Sequence, residues 1–81
     1  MSTLVDIVMP YLSETMIEGG IQAWLKNEGD RVEVGDDLVE INSDKVTSVY
    51  PSDTAGTLVE ILAGVDAVVP VGVVIARIQT D

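Results

Sequence analysis

An internal repeat is the feature that most restricts the fold of this chain. Residues 19–44 align with residues 56–81 at an offset of 37, and the alignment needs no gap. Glycines recur at matching positions, as in the pair Gly35 and Gly72. Such matches are informative because glycine adopts backbone conformations that other residues avoid. The repeat therefore predicts two similar halves that pack with pseudo-twofold symmetry.

Each half consists of short runs rich in valine and isoleucine, separated by glycine, proline and aspartate. Residues 8–10 also match residues 49–51 at a slightly larger offset, so the likeness extends to the first run of each half. Short β-branched runs between turn residues predict strands and an all-β sandwich or flattened barrel. The predicted strands lie near residues 4–8, 17–26, 31–34, 38–43, 46–50, 56–63, 68–71 and 74–79.

Composition excludes several classes of function. The 81 residues suffice for one small domain, and they include no cysteine and no histidine. Thiol chemistry, the commonest general base and the commonest transition-metal ligand are therefore missing, so we expect neither a catalytic site nor a metal site. The net charge of −10 opposes binding to nucleic acid or to an anionic membrane and favours a basic or mixed-charge protein partner.

No targeting segment is visible in the sequence. No positively charged leader precedes the first basic residue, Lys26, and the apolar run 67–76 is too short to span a bilayer. We therefore expect the cytoplasm of a bacterium or archaeon, or the mitochondrial matrix if the chain is a processed precursor.

Lys45 is one of four basic residues and lies between turn formers at 42–44 and strand formers at 46–50. This arrangement predicts a lysine at the tip of a hairpin, where its amine is accessible to a modifying enzyme and can form an amide. The ordinary alternative is a solvated surface lysine. Since the repeat aligns Asp44 with Asp81, we expect the hairpin to project from the end opposite the C-terminus.

Over nearly its whole length the chain resembles the lipoyl domains of the dihydrolipoyl acyltransferases of 2-oxo acid dehydrogenase complexes. The resemblance lies in MPYLSETMIEGGIQAWLKNEGDRVEVGDDLVEI, SDKV, YPSDTAGTLVEILAG and VPVGVVIARI. It implies a flattened barrel of two four-stranded antiparallel sheets with quasi-twofold symmetry. It also implies lipoate in amide linkage on Lys45, with Asp44 and Val46 beside it. That family often has Glu-Thr in place of Asn42 and Ser43, and alanine in place of Val46; we expect modification despite these departures.

The resemblance further implies a carrier domain, residues 1–81, that lacks an active site and forms the N-terminal part of a longer acyltransferase chain. A lipoate ligase or lipoyl transferase would load Lys45. A thiamin-dependent decarboxylase would acylate the lipoyl group, the acyltransferase core would pass the acyl group to coenzyme A, and dihydrolipoamide dehydrogenase would reoxidise the carrier. In such domains the loop that corresponds to Leu12, Ser13 and Glu14 lies near the lipoyl-lysine and contacts the decarboxylase.

Two other functions remain open at this stage. A biotinyl carrier domain of a carboxylase shares the fold, but its lysine has methionine on both sides, whereas here Asp44 and Val46 flank it. An unmodified β-sandwich could bind proteins through an acidic face, since seven of the fourteen acidic residues lie within 28–44. Trp24 aligns with Ile61 in the repeat, which predicts core packing rather than substrate stacking. The sequence does not identify the 2-oxo acid.

Overall fold

The computed structural model describes residues 3–43 and 46–80, and every regular element in these ranges is a β-strand. The strands are β1 (Leu4–Val8), β2 (Glu18–Trp24), β3 (Arg31–Val32), β4 (Asp37–Ser43), β5 (Val46–Pro51), β6 (Gly56–Ile61), β7 (Val68–Pro70) and β8 (Val74–Gln79). They form two four-stranded antiparallel sheets in the orders β1-β8-β6-β3 and β5-β4-β2-β7. The predicted fold class is confirmed. Within the described ranges, no helix could cross a membrane.

The two sheets are equivalent strand by strand. β1, β8, β6 and β3 of one sheet take the places of β5, β4, β2 and β7 of the other. The β-bulges repeat as well, because the strand pairing skips Gln22 in β2 and its counterpart Val59 in β6. It also skips Leu38 in β4 and its counterpart Ile75 in β8. Each pair is separated by the offset of 37 that the repeat has, so the predicted pseudo-twofold symmetry is confirmed.

The first strand of each half aligns differently from the sequence match. Met9 is hydrogen-bonded through its backbone to Gly72 and Val73 (3.0 and 2.9 Å). Ser52 makes the corresponding bonds to Gly35 and Asp36 (2.7 and 2.8 Å), which are the counterparts of Gly72 and Val73 in the repeat. Met9 is therefore equivalent to Ser52, and the match of Met9 with Tyr50 was wrong by two residues. A slip of two residues keeps every side chain on the same face of a strand, so the apolar pattern could not detect it.

The two halves differ in the length of the connection that follows their first strand. The halves align at an offset of 43 up to Met9 and Ser52, and at an offset of 37 from Gly19 and Gly56 onward. The connection from Met9 to Gly19 is therefore six residues longer than the connection from Ser52 to Gly56. The additional residues lie in the segment 10–17, called the long loop below.

The molecule has two distinct ends along its longest dimension of 39 Å. The hairpin end is marked by Ser43 and Val46, the last described pair of β4 and β5. The terminal end is marked by Thr3 and Thr80, whose backbones are joined by a 2.8 Å hydrogen bond. The turn 70–73 brings the chain from β7, beside the start of β2, into β8, which then runs to Thr80. Ser43 and Val46 therefore lie at the end opposite Thr3 and Thr80, which agrees with the arrangement that the repeat predicts.

The core lies between the sheets and consists almost wholly of aliphatic side chains and methionine. Trp24 is half-buried against this core together with Ile61, and its indole N–H donates a 2.7 Å hydrogen bond to the Ala63 carbonyl. This placement agrees with the predicted packing role. The largest fully buried side chains are Met9, Ile21, Leu38, Ile41, Leu58, Ile75, Ile78, Val32 and Val39.

Gly56 provides a test of the fold, because a Cβ there would overlap the carbonyl oxygen of Gln79 in β8. Backbone cannot yield as a flexible side chain can, so we expect Gly56→Ala to lower the free energy of unfolding by about 2 kcal/mol or more. Gly64→Ala is the matched control, since no atom lies within 4 Å of a Cβ at Gly64; we expect a change within about 0.5 kcal/mol. Urea unfolding followed by Trp24 fluorescence measures both, and equal losses would contradict the expectation.

Candidate modification site

The β4–β5 hairpin determines where the predicted modification site lies. The two strands pair from Asp37 opposite Pro51 to Ser43 opposite Val46, and only two residues of sequence separate that last pair. Two-residue connections are the tightest that join antiparallel strands. Asp44 and Lys45 are those two residues, and they lie outside the described residues. Val46, the other predicted flanking residue, is the first residue of β5, and its side chain is 62% exposed.

A side-chain network joins three strands immediately before the hairpin end. The Asn42 amide on β4 donates a 2.5 Å hydrogen bond to the side-chain oxygen of Gln22 on β2, and its oxygen accepts a 2.6 Å bond from the Thr47 hydroxyl on β5. A glutamate, which is frequent at this place in the family that the chain resembles, could not donate to Gln22 when ionised. In the sequence Asn42 is recognisable only as a departure from the family pattern, and this role is not visible there because Gln22 is distant along the chain.

The long loop lies beside the hairpin. Leu12 and Ser13 line a small cleft of about 130 Å³ together with Ser43, Val46 and Ser48. The structure thus brings two of the three predicted recognition residues next to the hairpin end. Their contact with a decarboxylase stays a prediction.

The third predicted recognition residue, Glu14, is exposed and does not line that cleft. Its part in partner recognition also stays a prediction.

Met16 fixes the conformation of the long loop. Its sulfur accepts a 3.2 Å hydrogen bond from the Leu12 backbone N–H, and its own N–H donates a 3.3 Å bond to the Ser13 carbonyl. The Met16 side chain is 4% exposed and packs over Gly19, where a Cβ would come within 2.7 Å of the Met16 methyl carbon. The loop is therefore held in place by buried contacts rather than by surface polar groups. No motif in the sequence indicates this role of Met16.

The acidic residues within 28–44 do not gather around the hairpin. A Glu28 carboxylate oxygen accepts a 2.8 Å hydrogen bond from the backbone N–H of Ile61, and an Asp30 carboxylate oxygen accepts one of 2.8 Å from the N–H of Asn27. These two carboxylates therefore satisfy backbone donors, one at the end of β6 and one in a turn, which the interpretation as a single solvated face did not predict.

Asp36 shows the same behaviour. The Glu33 backbone N–H donates a 2.9 Å hydrogen bond to its carboxylate. That bond holds the pKa of the Asp36 carboxyl below its usual value; desolvation opposes it, and the Lys26 ammonium at 3.5 Å also lowers the pKa.

Positive charge is neutralised away from the hairpin end. Lys26 and Arg31 form ion pairs with acidic neighbours, at 3.5 and 3.1 Å. Arg77 lies on the outer face of the other sheet between Asp6 and Glu60, at 3.0 and 2.9 Å. Hydrogen bonds to Asp6 and then to Glu60 raise the pKa of the Arg77 guanidinium. These are the three cationic side chains of the described ranges.

Among the described residues, the exposed charged side chains beside Asn42 and Ser43 are the carboxylates of Glu18 and Asp66. Within residues 3–43 and 46–80, no group of three or more acidic residues is arranged to hold a metal ion.

Comparisons with known proteins agree with this geometry. The family described as Biotin-requiring enzyme (Biotin_lipoyl) matches residues 5–78. The acetyltransferase component of the pyruvate dehydrogenase complex of Corynebacterium glutamicum is 55% identical over 73 residues, which are 90% of this chain and 11% of that protein. The corresponding component of Mycobacterium tuberculosis is 50% identical over 72 residues, 89% of this chain and 13% of that protein.

A solved structure is similar in fold. The solution structure of the lipoyl domain of the 2-oxoglutarate dehydrogenase complex from Azotobacter vinelandii superposes with a TM-score of 0.76 and 26% identity. The superposition covers 95% of this chain and 96% of that one. The chain is thus similar to a whole domain of known structure but spans only 11% and 13% of the two sequence relatives.

The network around Asn42 yields a prediction about local order. We expect Asn42→Ala to speed amide hydrogen exchange at Ser43 and Val46 several-fold, because the link between the strands is lost. The free energy of unfolding should fall by at most about 1 kcal/mol, which is the usual range for an exposed cross-strand pair. Asn27→Ala is the control, since Asn27 is exposed in a turn outside the hairpin. Unchanged exchange at the hairpin, or the same increase in both variants, would contradict the role given to Asn42.

Proposed function

This chain belongs to the biotin/lipoyl attachment family, and from that premise we propose that it is a lipoyl carrier domain with lipoate in amide linkage on Lys45. One observation carries the proposal: Lys45 is one of only two residues in the sequence between Ser43 and Val46, and this pair of residues lies at one end of an elongated sandwich. The similarity to lipoyl domains over nearly the whole chain supports lipoate as the attached group.

The chain suits an attached redox group because it has none of its own, with no cysteine in its sequence. Bound lipoate would supply a disulfide that accepts an acyl group and two electrons from a thiamin-dependent decarboxylase, releases the acyl group to coenzyme A, and is reoxidised by dihydrolipoamide dehydrogenase. The residues of this chain present the lysine and hold the hairpin and the long loop in place. A lipoate ligase or lipoyl transferase would form the amide.

Biotin is the second candidate, because the family description names it. The hairpin residues argue against it. Biotinyl domains have methionine on both sides of the lysine, whereas the methionines of the described ranges, Met9 and Met16, are buried in the core. An unmodified interaction module is the third candidate, and it predicts full partner function without any attached group.

The names and lengths of the two sequence relatives support a proposal about which acyl group is carried and about the longer protein to which the domain belongs. Both are named as acetyltransferase components of pyruvate dehydrogenase complexes, and each is far longer than this chain. We infer that the domain is part of a longer acyltransferase chain and carries acetyl groups derived from pyruvate. Reductive acylation by pyruvate, 2-oxoglutarate and branched-chain decarboxylases in parallel tests this, and a preference for any but the pyruvate enzyme would overturn it.

The modification site can be tested cleanly because the chain has only two lysines, Lys26 and Lys45. Incubation with a lipoate ligase should add one lipoyl group to the wild-type domain and none to Lys45→Arg, since guanidinium stays protonated and is not acylated in this way. Lys26→Arg is the matched control and should be modified at the wild-type rate. Intact mass and peptide mapping give the result.

Three outcomes would count against the proposal. Modification of Lys45→Arg would place the site elsewhere. A biotin ligase that modifies the wild type faster than the lipoate ligase would favour the second candidate. An unmodified domain that supports the decarboxylase reaction would favour the third.

A second prediction concerns the position of the lysine. Exchange of the residues at 45 and 46 (Lys45→Val with Val46→Lys) moves the amine onto β5, where residue 46 pairs with Ser43. A one-residue shift turns a strand side chain to the other face, so we expect the rate of lipoylation to fall at least tenfold. Restoring the common family residues (Asn42→Glu, Ser43→Thr, Val46→Ala) should change the rate by less than about tenfold, or 1.4 kcal/mol in barrier terms. Circular dichroism confirms that both variants fold, and equal rates for the shifted and native lysine would refute positional recognition.

A further inference from the structure

A groove runs across the outer surface of the hairpin end. Its volume is about 550 Å³, and its walls come from the long loop and the start of β2, the end of β4, and the segment that leads into β7. Gly20 forms part of its lining between Asn42 on one neighbouring strand and Val68 on the other. A Cβ at Gly20 would have no atom closer than 3.8 Å, so the missing side chain leaves open space.

A comparison of equivalent positions in the two halves shows that the fold alone does not create this groove. The counterpart of Gly20 in the second half is Thr57, which places a side chain where the first half has none. The counterpart of Val68 is Arg31. The long loop that forms one wall also has no equivalent, because the second connection is six residues shorter. Three differences between equivalent positions therefore open the groove on the sheet that contains β2, β4, β5 and β7.

The surface of the groove combines exposed apolar side chains with polar and acidic ones. Ile17 is 78% exposed and Val68 is 62% exposed, both high values for side chains that would gain from burial. Glu18 and Asp66 are exposed carboxylates on the same lining. The cationic side chains of the described ranges are paired with carboxylates elsewhere on the molecule.

We propose that this groove is a docking site for the thiamin-dependent decarboxylase, filled by a segment that presents an apolar side chain next to lysine or arginine. The apolar side chain would lie between Ile17 and Val68, and the cation would face Glu18 and Asp66. The inference rests on the proposed function, since an enzyme that draws an arm on Lys45 into its active site must approach this end. Asn42 and Ser43 belong both to the hairpin and to the groove, so contact with one brings the partner over the other.

The decarboxylase is the occupant that this surface suits best. An acyltransferase core on the same chain meets the domain at the high local concentration that a tether provides and needs little docking affinity. A ligase that reads the position of the lysine needs only the hairpin. A separate decarboxylase is not tethered to the domain and must recognise more of it than the hairpin. A small acidic groove would raise its rate of encounter while allowing rapid release.

The internal repeat supplies the substitutions for a test, because Thr57 is the counterpart of Gly20 and Arg31 is the counterpart of Val68. Gly20→Thr and Val68→Arg each introduce the residue that the fold already accepts at the equivalent place. Val34→Arg is the matched control, because Val34 is 66% exposed, close to the value for Val68, and lies in the turn before β4 at the other end of that strand. Asp66 has a φ of 75°, which asparagine tolerates, so Asp66→Asn removes one charge with little strain.

Each variant is lipoylated and offered as the varied substrate to the decarboxylase that acylates the wild-type domain fastest. We expect Val68→Arg to raise KM at least tenfold and Gly20→Thr several-fold, with kcat within twofold, whereas Val34→Arg changes KM less than twofold. Added salt should raise the wild-type KM, and Asp66→Asn should weaken that salt dependence. Lipoylation rates should stay within twofold for all variants, and circular dichroism confirms folding.

The outcomes separate this inference from the proposed function. Equal effects of Val68→Arg and Val34→Arg would show that net charge alone matters and would overturn the groove. Slower lipoylation in the groove variants would assign the surface to the ligase instead. Wild-type KM values for both groove variants would show that nothing docks there, although the domain would still be a carrier. A wild-type domain that is not lipoylated at Lys45 would overturn the proposed function itself.

Discussion

Close packing at two equivalent glycines is the constraint on which the rest of the structure depends. At Gly56 the strand lies so near the backbone of Gln79 that no Cβ fits, and at Gly19 the space that a Cβ would need is taken by the side chains of Met9, Met16 and Ile41. One glycine permits contact between backbones, and the other forms a socket for side chains. A small domain buries a limited share of its surface, so such contacts matter to its stability.

The difference between the two glycines is also the origin of the functional asymmetry. Because Met16 fills the socket at Gly19 and its sulfur binds the Leu12 N–H, the six additional residues of the long loop are fixed beside the hairpin. The second half has a short connection at this place and no such wall. A symmetric scaffold thus becomes a molecule with one specialised end, opposite the end where Thr3 and Thr80 meet.

The distribution of charged side chains also distinguishes the two ends of the molecule. Arg77 is held between Asp6 and Glu60 on one sheet, while Lys26 and Arg31 bind carboxylates near the turns around β3. Exposed ion pairs add little stability, but they leave the hairpin end with carboxylates and no described cation. A negative field at that end favours encounter with basic partners and adds little to affinity once salt screens it.

The sequence by itself determined the strands, the repeat and the place of Lys45 between two strand-forming runs, because these depend on local preference and on spacing along the chain. It did not determine the register of the first strand, since a slip of two residues preserves the alternation of faces. It also gave no sign that Asp66 takes the left-handed conformation of its counterpart Gly29, with φ of 75° and 96°. The bridge from Asn42 to Gln22, the socket for Met16 and the groove over Gly20 were decided only by the tertiary structure. Each joins residues that are far apart in sequence or depends on the space that a missing side chain leaves, and no pattern along the chain records either.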